Sequence, residues 1–550
     1  MTNRITFSTF GIKHNLPNGH LLDFKYQLNN FKFFRLGAFD LPERASTFTN
    51  PRHTFSVTES GTFKGKYLNE IRFQFAKEFR KIVPESNDTT IIVLNAFSRG
   101  GSGTNLRDEQ TKFKFVDNLA FDSGKHSLKL GTEIEYEKLR SVSENNLNGR
   151  FTFLNLENFE NLKPSQYSQT IGATNVELTQ LRGAFYLQDY FKVHKSLQLS
   201  LGARYEWQND LNDFNNVSPR IGYVWSPEKS GKLILRGGVG VFYEWFDTQT
   251  LSTILSNDSR QGQNLIIINP GFPNPFAGGT VSQPLPKSVS RLSDNLINPS
   301  IFAAQNAFNY KLSKFVTFEG IYTFKKGAHH FRSRDINAPV NKIRPNADFG
   351  RIQLLESTGT LREHSFELKV NTFYKGVNVY TNYQFAKQTT DFSGSLNLPS
   401  DNYNLRLDRS VSDFNQPHKL NLSFNFDIWK IKVSPSFRLE SGFPYTITTG
   451  RDDNGDTVFN DRPAGIGRNT ERGEWLKQAD VRFSRKLPMK FIGIKKENQR
   501  RSITLNATVR NVFNTTNLAN YVGVQTSPFF RQATLARPAR SVDLGMSLIF

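Results

Sequence analysis

Segments of about ten residues in which apolar and polar side chains alternate recur along almost the whole chain. One clear pair lies at 420–439, on the two sides of a tight turn at Trp429-Lys430. A period of two puts apolar side chains on one face of a strand and polar side chains on the other. The apolar members are Leu420, Leu422, Phe424, Phe426 and Ile428 before the turn, and Ile431, Val433, Phe437 and Leu439 after it. The sequence therefore predicts an all-β protein built from antiparallel hairpins.

The connections between these segments are short on one side of the predicted sheet and long on the other. Short turns include 17–19 (PNG), 64–66 (KGK) and 122–125 (DSGK), and the one exception, 488–500, is longer and basic. Short turns at one rim and long loops at the other are typical of transmembrane β-barrels, whereas a soluble domain with so many long loops is implausible. The long stretches are 30–52, 80–110, 140–180, 246–300, 326–363, 390–417, 442–475 and 512–539. We count about 19 strands in a large antiparallel transmembrane β-barrel.

The composition agrees with a barrel and limits the partners. The chain has 550 residues, 50 of them Phe, no Cys, and a net charge of 70 − 49 = +21. No apolar run reaches the roughly 18 residues that a membrane-spanning helix needs, but alternating barrel strands need no such run. Lys and Arg can meet lipid phosphates at the rims or attract anionic ligands into the lumen. Because the basic residues are spread over strands and turns rather than gathered in one stripe, we expect no nucleic-acid partner.

The last strand ends on a terminal aromatic residue. Its polar, glycine, apolar and final aromatic positions are occupied by Asp543, Gly545, Leu548 and Phe550. This ending resembles the C-terminal signal of bacterial outer-membrane β-barrels. The resemblance implies that the barrel-assembly machinery recognises this strand. A final strand of a soluble β protein would show the same alternation.

Several longer stretches of the chain form a recognisable set. The stretches are 186–193 (YLQDYFKV), 199–206 (LSLGARYE), 218–227 (SPRIGYVWSP), 235–243 (LRGGVGVFY), 332–339 (RSRDINAP), 454–456 (NGD), 460–463 (NDRP) and 511–517 (NVFNTTN). In this order and spacing they resemble the barrel of TonB-dependent outer-membrane receptors, and most of all the Oar-like subgroup, whose members carry a carboxypeptidase-regulatory-like domain before the plug. The resemblance extends over nearly the whole chain from about residue 50.

The resemblance implies a ligand-gated importer in the bacterial outer membrane. Large plugged transporters have 22 strands. We therefore expect 1–550 to be an N-terminally truncated barrel domain, with its first three strands, the plug, the TonB-contacting box and a signal peptide missing. The implied ligand is a siderophore, an oligosaccharide or a peptide. The expected partners are outer-membrane lipid and lipopolysaccharide, the assembly machinery, and the TonB complex through the missing N-terminal region. A surface adhesion protein and a plain diffusion porin are the alternatives.

One loop is the best candidate for ligand chemistry. Asp452, Asn454 and Asp456 occupy alternate positions, Gly455 permits a sharp bend, and Asp461 follows five residues later. Oxygen ligands at this spacing can wrap Ca²⁺, although an EF-hand loop has its glycine at the sixth position and not the fourth. The alternative is a turn whose Asx side chains cap their own backbone. Calcium is the only cofactor that the sequence suggests.

No arrangement of residues indicates catalysis. Neither a Ser/His/Asp set nor a pair of carboxylates with suitable spacing is evident, so we expect that the protein is not an enzyme. The glycines of 237–240 (GGVG) lie inside a strand pair, where they favour barrel curvature or close packing over phosphate binding.

Overall fold

The computed structural model describes residues 3–172, 175–259, 262–277, 286–488 and 502–549. One sheet of 26 strands dominates it, and seven of these lie within connections, which leaves 26 − 7 = 19 strands in the main wall. The main strands are β1 (Arg4–Asn15), β2 (Leu21–Arg35), β3 (Ser46–Phe63), β4 (Tyr67–Pro84), β5 (Leu106–Ser123), β6 (His126–Ser143), β7 (Asn175–His194), β8 (Leu197–Gln208), β9 (Asn216–Trp225), β10 (Leu233–Tyr243), β11 (Ser300–Lys311), β12 (Val316–Asp335), β13 (Phe349–Tyr374), β14 (Val377–Thr390), β15 (His418–Ile428), β16 (Ile431–Glu440), β17 (Leu476–Pro488), β18 (Ser502–Arg510) and β19 (Ser541–Ile549).

Consecutive main strands pair with each other in antiparallel orientation along the whole wall. The wall is therefore one up-and-down meander, which confirms the predicted antiparallel hairpins and the count of about 19 strands. Over the part of the chain that the structure describes, β1 pairs only with β2, and β19 pairs only with β18.

The two faces of the wall differ in chemistry. One face, called the apolar face below, exposes large hydrophobic side chains, and Phe73 is 58% exposed. A soluble protein rarely leaves so extended an apolar surface in water. The opposite face, called the polar face, carries charged and amide side chains. The apolar face includes Phe24, Phe55, Phe73, Phe113, Ile134, Phe185, Leu201, Ile221, Phe308 and Phe366.

The final strand follows the predicted alternation. Val542, Leu544 and Met546 are all exposed, Leu544 to 81%. Asp543, on the other face, accepts a hydrogen bond from Arg510 at 2.6 Å. Phe550 lies outside the described residues, and recognition of this strand by the assembly machinery stays a prediction.

The connections confirm the predicted asymmetry between the rims. The short turns are 16–20, 64–66, 124–125, 195–196, 226–232, 312–315, 375–376 and 429–430. At the opposite rim, called the loop rim below, the connections are 36–45, 85–105, 144–174, 209–215, 244–299, 336–348, 391–417, 441–475 and 511–540. Most are shorter than predicted because the strands continue past the alternating segments. The predicted basic turn 488–500 lies almost entirely outside the described residues.

The long connections have secondary structure of their own. Strands Thr90–Val93, Phe97–Arg99, Arg150–Phe153, Gln166–Gly172, Gly262–Ile268 and Lys287–Leu292 form a loop sheet, and the last of these runs parallel to the start of β13. Its core contains Val93, Phe151, Phe153, Tyr167, Leu265 and Ile267. The shorter elements are Ser410–Val411, Pro444–Tyr445 with Glu471–Arg472, Leu518–Tyr521 with Ala533–Ala536, helices α1 (Leu156–Glu160) and α2 (Thr248–Leu255), and 3₁₀ turns Pro42–Arg44 and Leu405–Asp408. Among the described residues, no helix is long and apolar enough to span a bilayer.

The exposed apolar face gives a first prediction. Phe73 lies near the middle of β4, so Phe73→Arg would place a charge at the centre of the hydrocarbon layer, at a cost of about 2–4 kcal/mol. If this face met water instead of lipid, Phe73→Arg would lose only the aromatic contact with Phe115 and would cost much less. Urea titration in lipid vesicles gives the free energy of unfolding of the variant and of the unmodified chain, and the loss between them is the measured cost. Gln74→Arg, on the polar face, is the matched control, and equal losses for the two variants would contradict a lipid-facing surface.

Candidate functional site

Charged side chains of alternating sign line the polar face of β5–β8. Arg182 Nη2 lies 2.6 Å from a Glu135 carboxylate oxygen, and Lys112 Nζ lies 2.8 Å from Glu137 Oε2. Because each buried charge has a partner of opposite sign, this face can border protein or water but not hydrocarbon. Lys114, Glu133, Arg204 and Glu206 continue this charge lattice.

The 244–299 connection folds over the charge lattice instead of extending away from the rim. Thr248, 3% exposed, donates a hydrogen bond to Glu137. Arg80 donates to the Gln249 side chain at 2.5 Å, and Gln180 donates to the Phe246 carbonyl at 2.9 Å. The start of α2 is thereby tied to the polar side chains of β4, β6 and β7.

A hydrophobic cluster fixes the rest of α2. Leu251 and Ile254 of the helix are buried with Phe246, which is fully inaccessible. Burial of each such side chain contributes about 1.5–3 kcal/mol relative to exposure. The loop is therefore held firmly against the wall. The remaining buried members of this cluster are Leu211, Leu296 and Leu355.

The predicted acidic loop is a set of Asx turns. Asp452 Oδ2 accepts from the Thr457 amide at 3.0 Å, and Asn454 Oδ1 accepts from the Asp456 amide at 2.9 Å. Asp461 Oδ2 accepts from the Asp453 amide at 2.8 Å. Gly455 has a positive φ of 77°, which is the sharp bend expected there. The structure thus brings the four predicted residues together, with their side chains bonded to backbone amides as in the self-capping alternative.

Asp456 is the centre of this loop. It is 1% exposed, and its Oδ2 accepts from the Asn402 side chain at 2.8 Å. Burial is the main cause that raises the pKa of Asp456 to about 7, and the nearby carboxylates of Asp452 and Asp461 raise it further. Burial likewise raises the pKa values of Asp452 and Asp461. The loop therefore holds three carboxyl groups whose pKa values are raised above the ordinary value of 3.8.

Within the described ranges, no group of three or more His, Cys, Asp or Glu side chains has an arrangement that could hold a metal ion. In the acidic loop, Asn454 contributes an amide oxygen instead of a carboxylate, and that oxygen already accepts a backbone amide. The calcium site stays a prediction. A calcium titration that leaves hydrogen exchange of this loop unchanged would count against it.

Asp335 and Asn337 join the acidic loop to β13, although no sequence signal other than the family resemblance of 332–339 singles them out. Asp335, fully buried, accepts from the amides of Asn337 and Ile352 at 2.9 Å and from Arg344 at 3.0 Å. Arg344 also donates to the Asp456 carbonyl at 3.3 Å. The Asp335 amide also donates to Asn402 at 2.7 Å, so these residues bind three connections together and fix the position of Asp456.

A cavity of about 640 Å³ opens where these connections meet. Its lining includes Asp456, Asp461, Arg462 and Tyr403. Arg462 is bound to Asp408 at 2.6 Å, and the Tyr403 hydroxyl donates to the Ala338 carbonyl at 2.7 Å. The apolar part of its lining comes from Ala338, Pro339, Val340, Leu407, Pro463, Ala464 and Ile466. The cavity combines acidic, aromatic and apolar groups at the loop rim.

The 237–240 glycines border a second cavity, of about 600 Å³, on the polar face. A Cβ on Gly238 would approach the Ile221 carbonyl to 3.0 Å, so close packing of neighbouring strands accounts for glycine there, as the sequence analysis expected.

A comparison with protein families shows what kind of domain the wall forms. A model of the outer membrane β-barrel domain matches residues 3–213 and 210–473. No curated protein sequence matches the chain.

Solved structures share the fold. The outer membrane transporter YddB from Escherichia coli aligns with a TM-score of 0.69 at 14% identity, over 100% of this chain and 69% of the other. The FrpB iron transporter (F3-3 variant) from Neisseria meningitidis aligns with a TM-score of 0.61 at 12% identity, over 99% and 71%. The siderophore receptor PirA from Pseudomonas aeruginosa aligns with a TM-score of 0.56 at 10% identity, over 100% and 71%.

The raised pKa of Asp456 predicts a pH dependence of loop stability. Its folded-state pKa of about 7 lies above the ordinary value of 3.8, so the folded loop binds the proton more tightly than the open loop. This tighter proton binding stabilises the folded loop. The stabilisation is fully present below pH 3.8 and is lost as the pH rises toward 7. We expect the opening free energy of 452–461 to fall by on the order of 1–3 kcal/mol across this range. Amide hydrogen exchange, corrected for its intrinsic pH dependence, measures the opening free energy of 452–461 at each pH.

The control for this prediction lies in the same loop. Asp456→Asn should reduce the pH dependence to the part that Asp452 and Asp461 contribute, whereas Asp453→Asn, which changes an exposed carboxylate, should preserve it. A pH slope in Asp456→Asn equal to that of the unmodified chain would contradict the assignment.

Proposed function

Because this chain belongs to the outer membrane β-barrel domain family, we propose that it forms the wall of a TonB-dependent receptor that imports a ligand too large for a diffusion pore. The protein is located in the bacterial outer membrane. The observation that carries the proposal is the width of the wall. In the described residues, the 19 main strands exceed the 16–18 strands of porins, and the whole chain aligns with an outer membrane transporter.

A ferric siderophore is the first ligand to test. An iron transporter and a siderophore receptor are among the proteins that share this fold at low sequence identity. An oligosaccharide or a peptide is the next class, and the mixed lining of the cavity at the loop rim could contact any of these. Energy would come from the TonB complex, and lipopolysaccharide and the assembly machinery are further proposed partners.

The first functional prediction concerns energy coupling. Deleting the gene that encodes this chain and disabling TonB should each reduce uptake of the imported ligand to background, because active transport needs both. The measurement is accumulation of iron-55 supplied as a panel of ferric siderophores, followed by labelled oligosaccharides and peptides. Each strain is complemented with the intact gene as a control.

The other candidate functions give different results in the same strains. A diffusion porin would continue uptake without TonB. An adhesion protein would change surface attachment and leave uptake of every probe unchanged. Either result would overturn the import proposal.

The 244–299 connection gives a second functional prediction. We propose that α2 narrows the passage along the polar face. Leu251→Asp would bury a charge in the cluster that holds α2, at a cost of roughly 2 kcal/mol or more. Release of the helix should raise the ion conductance of planar bilayers that contain the protein several-fold. Thr253→Asp, at an exposed position of the same helix, is the control. Equal conductance of Leu251→Asp and the unmodified chain would contradict this role.

A further inference from the structure

The cavity of about 600 Å³ on the polar face, called the wall cavity below, extends from β7 to β12 and adjoins the charge lattice. Gly222 of β9 is directly opposite Gly238 of β10, and Gly240 is directly opposite Arg220. Because Ile221 lies on the apolar face and neighbouring residues alternate between faces, these four residues belong to the polar face. The three glycines add no side chain there, so the longer side chains of neighbouring residues surround a hollow in the wall.

The charged side chains that line the wall cavity are all basic, namely Arg220, Arg236 and Lys325. Arg236 is paired with Glu319, and Lys325 Nζ lies 3.1 Å from Glu363 Oε1. Arg220 forms no ion pair with any residue in the part of the chain that the structure describes. These five side chains therefore leave one positive charge of the cavity without a carboxylate partner.

Arg220 is held beside an aromatic ring. Its guanidinium carbon lies 4.6 Å from the centre of the Phe242 ring, a distance that permits a cation–π contact. Its Nε is removed from solvent and donates to no acceptor among the described residues. A buried N–H group without an acceptor destabilises the protein, and the cost is larger when the group is charged. The position of Arg220 therefore favours a ligand that brings a negatively charged acceptor.

Neutral polar groups surround Arg220 in the wall cavity. Gln188, Gln198 and Ser200 line it, and within the described ranges their side chains have no hydrogen-bond partner. These amide and hydroxyl groups can donate to an anion without adding charge. A carboxylate carries a single negative charge, which the one unpaired guanidinium offsets, whereas a phosphate dianion would leave a negative charge uncompensated. The composition of the cavity therefore favours a carboxylate over a phosphate.

We propose that the wall cavity binds the carboxylate group of a small organic ligand. The guanidinium of Arg220 donates from its planar fork to the carboxylate oxygens, and the neutral amide and hydroxyl groups donate the remaining hydrogen bonds. Phe242 and Tyr190, which also line the cavity, contact the apolar part of the ligand. A volume of about 600 Å³ suits a small organic molecule. This inference rests on the geometry of the wall and does not depend on transport or on TonB.

The test uses the purified chain in neutral detergent and benzoate as the probe. Titrations followed by saturation-transfer NMR give the dissociation constant. Arg220→Gln should bind benzoate on the order of 10-fold to 100-fold more weakly, as expected for the loss of a charge-assisted hydrogen-bond pair. The control, Arg438→Gln, removes an arginine whose Nε lies 3.5 Å from Glu440 on the same face but outside the cavity, and it should keep full affinity. Unchanged affinity in Arg220→Gln, or an equal loss in Arg438→Gln, would overturn the proposal.

Two further variants separate the site from folding defects. Ala303 is directly opposite Gly240 and lines the cavity, so Ala303→Leu should fill the hollow and weaken benzoate binding while Arg220 stays in place. Arg220→Lys keeps the positive charge and should bind benzoate more tightly than Arg220→Gln does. Full affinity for benzoate in Ala303→Leu would overturn the assignment of the site to this cavity.

Two competing molecules test the chemistry of the ligand. Benzamide has nearly the same shape as benzoate but no charge, so it should not displace benzoate, and displacement at equal concentration would overturn the role of Arg220. Phenyl phosphate should bind more weakly than benzoate, and tighter binding would overturn the choice of a carboxylate. None of these measurements uses the TonB uptake assay, so this proposal and the import proposal can fail separately.

Discussion

A bilayer offers no hydrogen-bond partner to a backbone amide or carbonyl, and the architecture of this protein follows from that constraint. Strands β2–β18 pair on both sides along the meander, so their backbone groups are satisfied by neighbouring strands. Within the described chain, β1 and β19 each pair on one side only. In hydrocarbon, these two edges require a further strand or each other. The same regular pairing forces side chains to alternate between two faces, which then meet two different environments.

The strands of the wall could be predicted from the sequence because the two faces meet different environments. One selects apolar side chains and the other selects polar side chains, so the two kinds alternate along each strand. Phe113 and Lys112 are neighbours in the chain, yet one is exposed on the apolar face and the other is paired with Glu137. Strand ends could not be predicted in the same way. Near the loop rim both faces meet polar surroundings, so residues such as 356–360 (ESTGT) lose the alternation although they belong to β13. The alternating pattern therefore predicts a start of this strand that is too late.

The loop rim was the part least accessible from sequence. The bond between Thr248 and Glu137 joins residues 111 positions apart, and neither residue type nor local spacing indicates it. The four residues of the acidic loop could be predicted as a group because they are close in the chain. Asn402 and Arg344, which hold Asp456 in place, come from other connections and had no local signal. Local spacing shows that a turn exists, and only the fold shows what the turn contacts.

The placement of charge connects these features. The chain carries 70 basic and 49 acidic side chains, yet the polar face pairs Lys112, Arg182 and Arg204 with glutamates. Pairing there offsets the high cost of an unpaired charge that is largely removed from water. The charge lattice holds four cations and four glutamates, so the excess of positive charge lies outside it. Cations at a membrane rim keep their hydration or gain phosphate partners, so an excess there costs little. The net charge is thus consistent with a wall whose charge lattice on β5–β8 is balanced and whose rims face anionic lipid.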